Sequence, residues 1–155
     1  PGNVAITESW NGTSWTEVAD LNTARRGLEG FGAGNTSALA FGGYTNTFSA
    51  ATELWNGSGW TEVSDLNVAK ANGASFGTVT GGMIAGGATP SRVATAEDWN
   101  GASWSEVADL STARDHLAGA GTSSSGLAFG GNTGSVSAAT EEWSGSSVAS
   151  EVLTD

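Results

Sequence analysis

The residues of this chain that could form strong interactions are charged, and they return at a fixed interval. A glutamate stands two residues before each tryptophan that opens a recurring motif, and a cation follows the motif in a later segment. The glutamates are Glu8, Glu53, Glu97 and Glu141, and the cations are Arg25, Lys70 and Arg114. We expect the glutamate of a unit to form a structural salt bridge with one of these cations. Such a pair, when partly buried, fixes register more than it stabilises.

Calcium binding is the alternative chemistry for the same carboxylates. Glutamate and aspartate side chains that gather at the mouth of a channel would bind Ca²⁺ through their oxygens. The chain contains no Asp-x-Asp-x-Asp segment of the kind found in calcium-binding loops. We therefore expect no metal and no cofactor, with Ca²⁺ kept as the alternative.

Residues that could catalyse a reaction are few. His116, beside Asp115, could act as a general base, but Gly27 and Asn72 occupy the equivalent positions of the other units. We interpret His116 as an exposed loop residue. The chain has no Cys, and we find no phosphate-binding loop, nucleophile elbow or two-histidine metal motif. We expect no enzymatic activity, because a hydrolase or lyase would need carboxylates of different units to converge in one pocket.

A variable segment follows each Gly-Gly pair of the regular units. It reads YTNTFS at 44–49, ATPSRV at 88–93 and NTGSVS at 132–137. Loops on a fixed scaffold are where binding specificity is usually placed, although neutral drift of a surface loop explains the same variation. The candidate ligand-binding residues in these loops are Tyr44, Asn46, Phe48, Arg92 and Asn132.

A tandem repeat positions all of these residues. The motif Trp-Asn-Gly-x-x-Trp occupies 10–15, 55–60 and 99–104, and a changed copy at 143–148 ends in Val148. The leading tryptophans are 45, 44 and 44 residues apart. The other residues that keep one place in the repeat are Trp15, Trp60, Trp104, Gly42, Gly43, Gly86, Gly87, Gly130 and Gly131. Because Trp10, Trp55, Trp99 and Trp143 and their partners hold fixed places, we interpret the tryptophans as packing groups rather than a sugar-binding platform.

Each unit predicts four short strands, which we place near 27–33, 36–42, 51–55 and 59–63 in the second unit. The Asn-Gly pair predicts a two-residue type I′ turn, with Trp10 opposite Thr13 and Glu8 opposite Trp15. A four-residue loop would instead set Glu8 against Glu17, a destabilising like-charge pair. Four-stranded units with a period of about 40–50 residues are typical of β-propeller blades. A parallel β-helix is the alternative, but its coils are usually shorter.

The predicted fold class is therefore an all-β propeller of antiparallel four-stranded blades, within a single domain. The boundaries are a half-blade at 1–24 and blades at 25–69, 70–113 and 114–155. The changed fourth copy is typical of the end of a repeat array. Closed propellers have about four to eight blades, so we expect completion by the rest of a longer chain, which we favour, or by a second copy.

The repeat resembles Kelch-type propeller units of the galactose oxidase-like superfamily. The matching residues in the second unit are Arg25, the pair Gly42-Gly43, Trp55 and Trp60. Kelch units usually carry Tyr at the first aromatic position, and their turn is longer. The enzymes of that superfamily use copper held by Tyr and His, with a Tyr–Cys crosslink. This chain has one Tyr, one His and no Cys, so it lacks the residues for that site.

Composition restricts the partners of the chain. The net charge of −11 repels phosphate backbones and anionic membranes, so we expect no nucleic acid binding. No apolar run approaches the ~20 residues that span a bilayer, so we expect no membrane insertion. The Gly-, Ser-, Thr- and Ala-rich texture resembles repeat regions of bacteriophage tail fibres and other virion appendages. That resemblance implies a virion or extracellular location and a structural or adhesive role, with a host-surface glycan or another virion protein as the ligand. A cellular protein-interaction propeller is the alternative.

Overall fold

The structure, a computed structural model, describes residues 2–145 and 151–153. This part of the chain forms one two-stranded and three four-stranded antiparallel sheets, and none of them closes on itself. The strands are β1 (Thr7–Trp10), β2 (Trp15–Val18), β3 (Glu29–Gly34), β4 (Ser37–Phe41), β5 (Thr52–Trp55), β6 (Trp60–Glu62), β7 (Ala74–Thr78), β8 (Gly81–Ala85), β9 (Ala96–Trp99), β10 (Trp104–Val107), β11 (Ala118–Thr122), β12 (Ser125–Phe129), β13 (Thr140–Trp143) and β14 (Glu151–Leu153). The predicted all-β class and the four-stranded antiparallel units are confirmed.

Each four-stranded sheet is a simple meander, with its strands paired in chain order. Glycine pairs end the second strand because both residues adopt positive φ, 67° at Gly42 and 100° at Gly43. The Gly43 N–H donates to the carbonyl of Lys70 over 2.8 Å. A β-carbon on Gly42 would lie 2.6 Å from that same oxygen. The missing side chain therefore lets the segment that leads into the next sheet approach closely.

The predicted hairpin register is wrong. Trp10 pairs with Trp15, and Glu8 pairs with Glu17, across a four-residue loop. The like-charge pair is tolerated where one member is neutralised: Glu53 lies opposite Glu62, but Glu53 is buried against Arg25. Coulomb repulsion across the strands is thus offset by a closer opposite charge.

The asparagine of the motif explains the longer loop. The Asn11 Oδ1 accepts hydrogen bonds from the backbone N–H groups of Thr13, at 2.9 Å, and Ser14, at 3.0 Å. Gly12 has a φ of 97°, whereas Asn11 does not have positive φ. A type I′ turn needs positive φ at both central residues, so the side-chain hydrogen bonds of an Asx turn replace it here.

The largest core lies between the sheets β3–β6 and β7–β10. It consists of Phe31, Leu39, Phe41, Leu66, Ile84, Trp99 and Trp104. The Trp104 ring lies 4.8 Å from that of Phe41 and 6.2 Å from that of Phe31, measured between centroids. A tryptophan on the fourth strand of one sheet therefore packs against the first two strands of the preceding sheet.

The first strands of the three four-stranded sheets adjoin one another, since β7 contacts both β3 and β11. Phenylalanines of one sheet lie over glycines of the next: a β-carbon on Gly82 would lie 2.5 Å from the Phe31 Cζ, and one on Gly126 would overlap the Phe76 ring. Close packing of neighbouring sheets therefore depends on a phenylalanine of one sheet lying against a glycine of the next, at positions that recur in the repeat.

Candidate functional site

Three buried ion pairs repeat along the chain, as predicted. The nitrogen–oxygen distances are 2.9 Å for Arg25–Glu53, 3.3 Å for Lys70–Glu97 and 2.9 Å for Arg114–Glu141. Their side chains are almost completely inaccessible to solvent. Glu8, the first glutamate of the series, is exposed instead. The predicted salt bridge is thus confirmed in the three four-stranded sheets.

Each ion pair ties the segment between two sheets, hereafter a connector, to the third strand of the sheet that follows it. Glu53 also accepts hydrogen bonds from the backbone N–H of Asn22, at 2.7 Å, and from its side-chain amide, at 2.9 Å. Arg25 donates to the carbonyls of Ala51 and Ala40. Burial lowers the pKa of Arg25, and the Glu53 charge opposes that shift. Among the described residues, the buried Arg25 Nε has no hydrogen-bond partner. The charged groups nevertheless pair with one another and are closed to ligands, so their role is structural.

A backbone ladder joins successive connectors. Gly27, Asn72 and His116 occupy equivalent positions and share positive φ values of 60°, 58° and 53°. The Asn72 N–H donates to the Gly27 carbonyl over 3.0 Å, and the His116 N–H donates to the Asn72 carbonyl over 2.8 Å. His116 is exposed, as interpreted, with 65% of its side chain accessible. Gly, Asn and His all tolerate left-handed backbone. Their recurrence at one repeat position is the sequence signal for this ladder, which the sequence analysis did not predict.

The cleft that we name the connector cleft lies beside this ladder. Tyr44 and Phe48 meet edge to face there, with centroids 5.3 Å apart and an interplanar angle of 83°. The Arg26 guanidinium lies 4.4 Å from the centre of the Tyr44 ring, a cation–π distance. The cleft has a volume of about 320 Å³ and is lined by Arg26, Gly27, Tyr44, Phe48, Ala71, Asn72 and His116. It combines apolar ring surfaces with several hydrogen-bond donors.

The other predicted loop residues are distributed over the same end of the sheets. Asn46 is exposed in the loop that carries Tyr44 and Phe48. The Arg92 Nε lies 3.0 Å from the Asp115 Oδ1, and Asn132 exchanges two backbone hydrogen bonds with Asp115. The structure therefore brings Tyr44 and Phe48 together with Arg26, and it places Arg92 and Asn132 around Asp115 in a different unit.

A larger cavity, of about 380 Å³, lies between the two-stranded sheet and the sheet β3–β6. Trp10, Trp15, Trp55 and Trp60 contribute to its largely apolar lining. In the described ranges, no group of three or more His, Asp or Glu side chains is placed to hold a metal ion. Residues 2–145 and 151–153 also include no helix of sufficient length and apolarity to cross a membrane.

Comparisons with known proteins identify a structural neighbour. No protein-family model and no curated protein matches the chain. A solved structure of YjhT superposes with a TM-score of 0.78 at 14% sequence identity, covering 97% of this chain and 52% of that one. The chain thus spans about half the length of YjhT. At this identity the likeness shows a shared arrangement of sheets and nothing about activity.

Proposed function

We propose that the three four-stranded sheets are consecutive blades of a Kelch-like β-propeller. Two features of the fold support this arrangement: each sheet is an antiparallel meander, and the first strands β3, β7 and β11 adjoin one another as strands around a central axis would. The structural likeness extends over nearly the whole chain. The tryptophans and buried ion pairs then serve blade packing and leave the loops free for binding.

We further propose a non-enzymatic, adhesive binding module whose ligand site is the connector cleft and whose ligand is a neutral glycan. The observation that carries this proposal is the grouping of Tyr44, Phe48 and Arg26 beside an open cleft. Aromatic rings present apolar surface to the C–H face of a sugar, and Arg26, Asn72 and His116 supply donors for its hydroxyls. The overall charge of −11 disfavours acidic ligands.

The aromatic pair belongs to one unit only. At the positions of Tyr44 and Phe48, the next unit has Ala88 and Arg92 and the last unit has Asn132 and Val136. The packing tryptophans recur from unit to unit, with Val148 in place of the second tryptophan in the last copy, whereas a ligand site needs to be built once. The aromatic pair is therefore not one of the recurring packing groups and is available for a binding role.

Glycan-array binding of the wild type and of Tyr44→Ala tests the glycan proposal. The substitution introduces the residue that the next unit carries at this position, so the fold should be kept, while loss of one ring face should weaken binding about tenfold or more. Val136→Ala, at the position equivalent to Phe48 in the last unit, is the matched control and should bind like the wild type. Absence of glycan binding by the wild type, or equal binding by Tyr44→Ala, would contradict the proposal.

We infer that the chain belongs to a phage virion appendage, from its Gly-, Ser-, Thr- and Ala-rich composition and its near-identical tandem units. Detection of peptides of this chain in purified virions tests that setting. The rival, a cellular protein-interaction propeller, predicts instead a protein partner recovered from cell extract whose binding is lost in Tyr44→Ala.

A further inference from the structure

Exposed apolar side chains are concentrated in the first and last sheets and their adjoining segments. Within the described residues, the large apolar side chains that are most accessible are Val4, Ile6, Trp10, Trp15, Leu127, Phe129 and Val136. None of them lies in the two sheets between. Among the described residues, these side chains form two exposed apolar faces, one on each terminal sheet, and Trp10 and Trp15 also border the cavity shared with the sheet β3–β6.

The last sheet exposes the residues that, in the sheet β3–β6, pack against a tryptophan of the following sheet. Leu127 and Phe129, each 38% exposed, are the repeat equivalents of Leu39 and Phe41, which are 1% and 0% exposed. The latter pair belongs to the core that Trp104 of the following sheet completes. The face of β12 that carries Leu127 and Phe129 thus resembles the internal interface but lacks a packed tryptophan among the described residues.

The first sheet presents the complementary group. Trp15 holds the place of Trp104 in the repeat, and it is 63% exposed where Trp104 is 5% exposed. Its ring lies 5.4 Å from that of Trp10, tilted by 46°, much as the Trp104 ring lies 5.3 Å from that of Trp99, tilted by 49°. Trp15 is therefore already oriented within its hairpin like the tryptophans that fill an interface.

We propose that a second copy of this chain covers both faces, with Trp15 of each copy packed over Leu127 and Phe129 of the other. Two copies arranged head to tail form two identical interfaces, and a ring of two uses up both exposed faces. The interface continues the pattern of the internal one between Trp104 and Phe41. The chain spans half of YjhT, so two copies match its length. The pairing is independent of the glycan proposal and extends the propeller proposal.

Light scattering coupled to size-exclusion chromatography tests the pairing on the 155-residue chain. The expected mass is about twice the 15.4 kDa of one copy. Trp15→Asp and Phe129→Asp should each raise the dissociation constant about tenfold or more. Ala102→Asp, at an exposed position in the hairpin loop of the sheet β7–β10, which lies between the two terminal sheets, is the control and should pair like the wild type. Far-ultraviolet circular dichroism and thermal unfolding of each variant verify the fold.

Mixing the two variants separates head-to-tail pairing from other modes. Trp15→Asp and Phe129→Asp copies, each impaired alone, retain one intact interface between them and should regain a two-copy species. A wild-type chain that remains a single copy at every concentration overturns the proposal. So does an unaffected pair in Phe129→Asp, or a series of ever larger masses, which would indicate an open filament.

Discussion

At the scale of residues, the side chain beside each buried ion pair differs according to whether the cation is lysine or arginine. Lys70 replaces the arginine of the other units, and its Nζ donates to the carbonyl and the hydroxyl of Thr95 at 3.1 Å each. Arg25 and Arg114 instead face Ala51 and Ala139 at that position and donate to their carbonyls. The extra hydroxyl thus supplies an acceptor to the shorter cation, which lacks the reach and the planar fork of arginine.

Glu97→Gln should destabilise the fold by about 3–5 kcal/mol, because it leaves the buried Lys70 ammonium without its counter-charge. Urea unfolding measures the free energy of unfolding. The control is Glu106→Gln: Glu106 lies directly opposite Glu97 on β10 but is exposed, so its removal should change stability by less than about 0.5 kcal/mol. Equal losses in the two variants would show that the ion pair does not stabilise the sheet.

Glu29 predicts a pH dependence of stability. Burial raises its pKa from 4.5 to about 7, and the nearby Ser75 side chain opposes that shift more weakly. The fold therefore favours the protonated carboxyl: the stabilising contribution is complete below the unfolded pKa of 4.5 and is lost as the pH rises through about 7. The loss is at most about 3 kcal/mol.

Glu29→Gln should remove this pH-dependent component. The free energy of unfolding at pH 5 and at pH 8, measured with urea for both proteins, gives the difference. Glu17→Gln, at an exposed site, should keep the wild-type dependence. A wild-type profile in Glu29→Gln would show that another group causes the change.

At the scale of elements, sheets approach closely because large and minimal side chains alternate between them. Phe31 lies over Gly82, and Phe76 lies over Gly126. In the last sheet, Ala120 occupies the place of these phenylalanines. The sequence shows that the last unit lacks this phenylalanine. Only the contact between neighbouring sheets shows that each phenylalanine packs on a glycine of the next sheet.

Gly126→Ala should cost about 1–3 kcal/mol, because its methyl group would overlap the Phe76 ring and force the core to shift. Gly34→Ala is the control, since a β-carbon there meets no atom within 4 Å, and it should change stability by less than about 0.5 kcal/mol. Thermal and urea unfolding of both variants measure the effect. If the two substitutions cost the same, the loss would come from the glycine backbone and not from sheet packing.

At the scale of the whole molecule, different loops lie at the two ends of the strands. The near-identical Asn-Gly hairpin loops lie at one end, and the connectors, the backbone ladder and the variable loops lie at the other. Residues from three successive connectors meet at the connector end, where the cleft forms. The row of sheets also leaves one apolar face at each extremity, which is the basis for the proposed pairing of copies.

The sequence by itself determined the all-β class, the four-stranded units and the residues that form ion pairs, but not which cation each glutamate pairs with. These follow from the repeat, because identical residues at one spacing must occupy identical places, and a buried charge needs an opposite charge at the matching place. The strands at 29–34, 37–41, 52–55 and 60–62 lie within two residues of those predicted for the second unit.

The tertiary structure decided the hairpin register, the connector cleft and the two exposed faces. Asn11 accepts two backbone hydrogen bonds, and a period-two pattern cannot show whether a side chain or the backbone closes a turn. The cleft joins Arg26, Asn72 and His116 of three connectors, so it depends on how the sheets pack side by side. Trp15 and Trp104 are the same residue type at the same repeat position, and only the presence of a neighbouring sheet makes one exposed and the other buried.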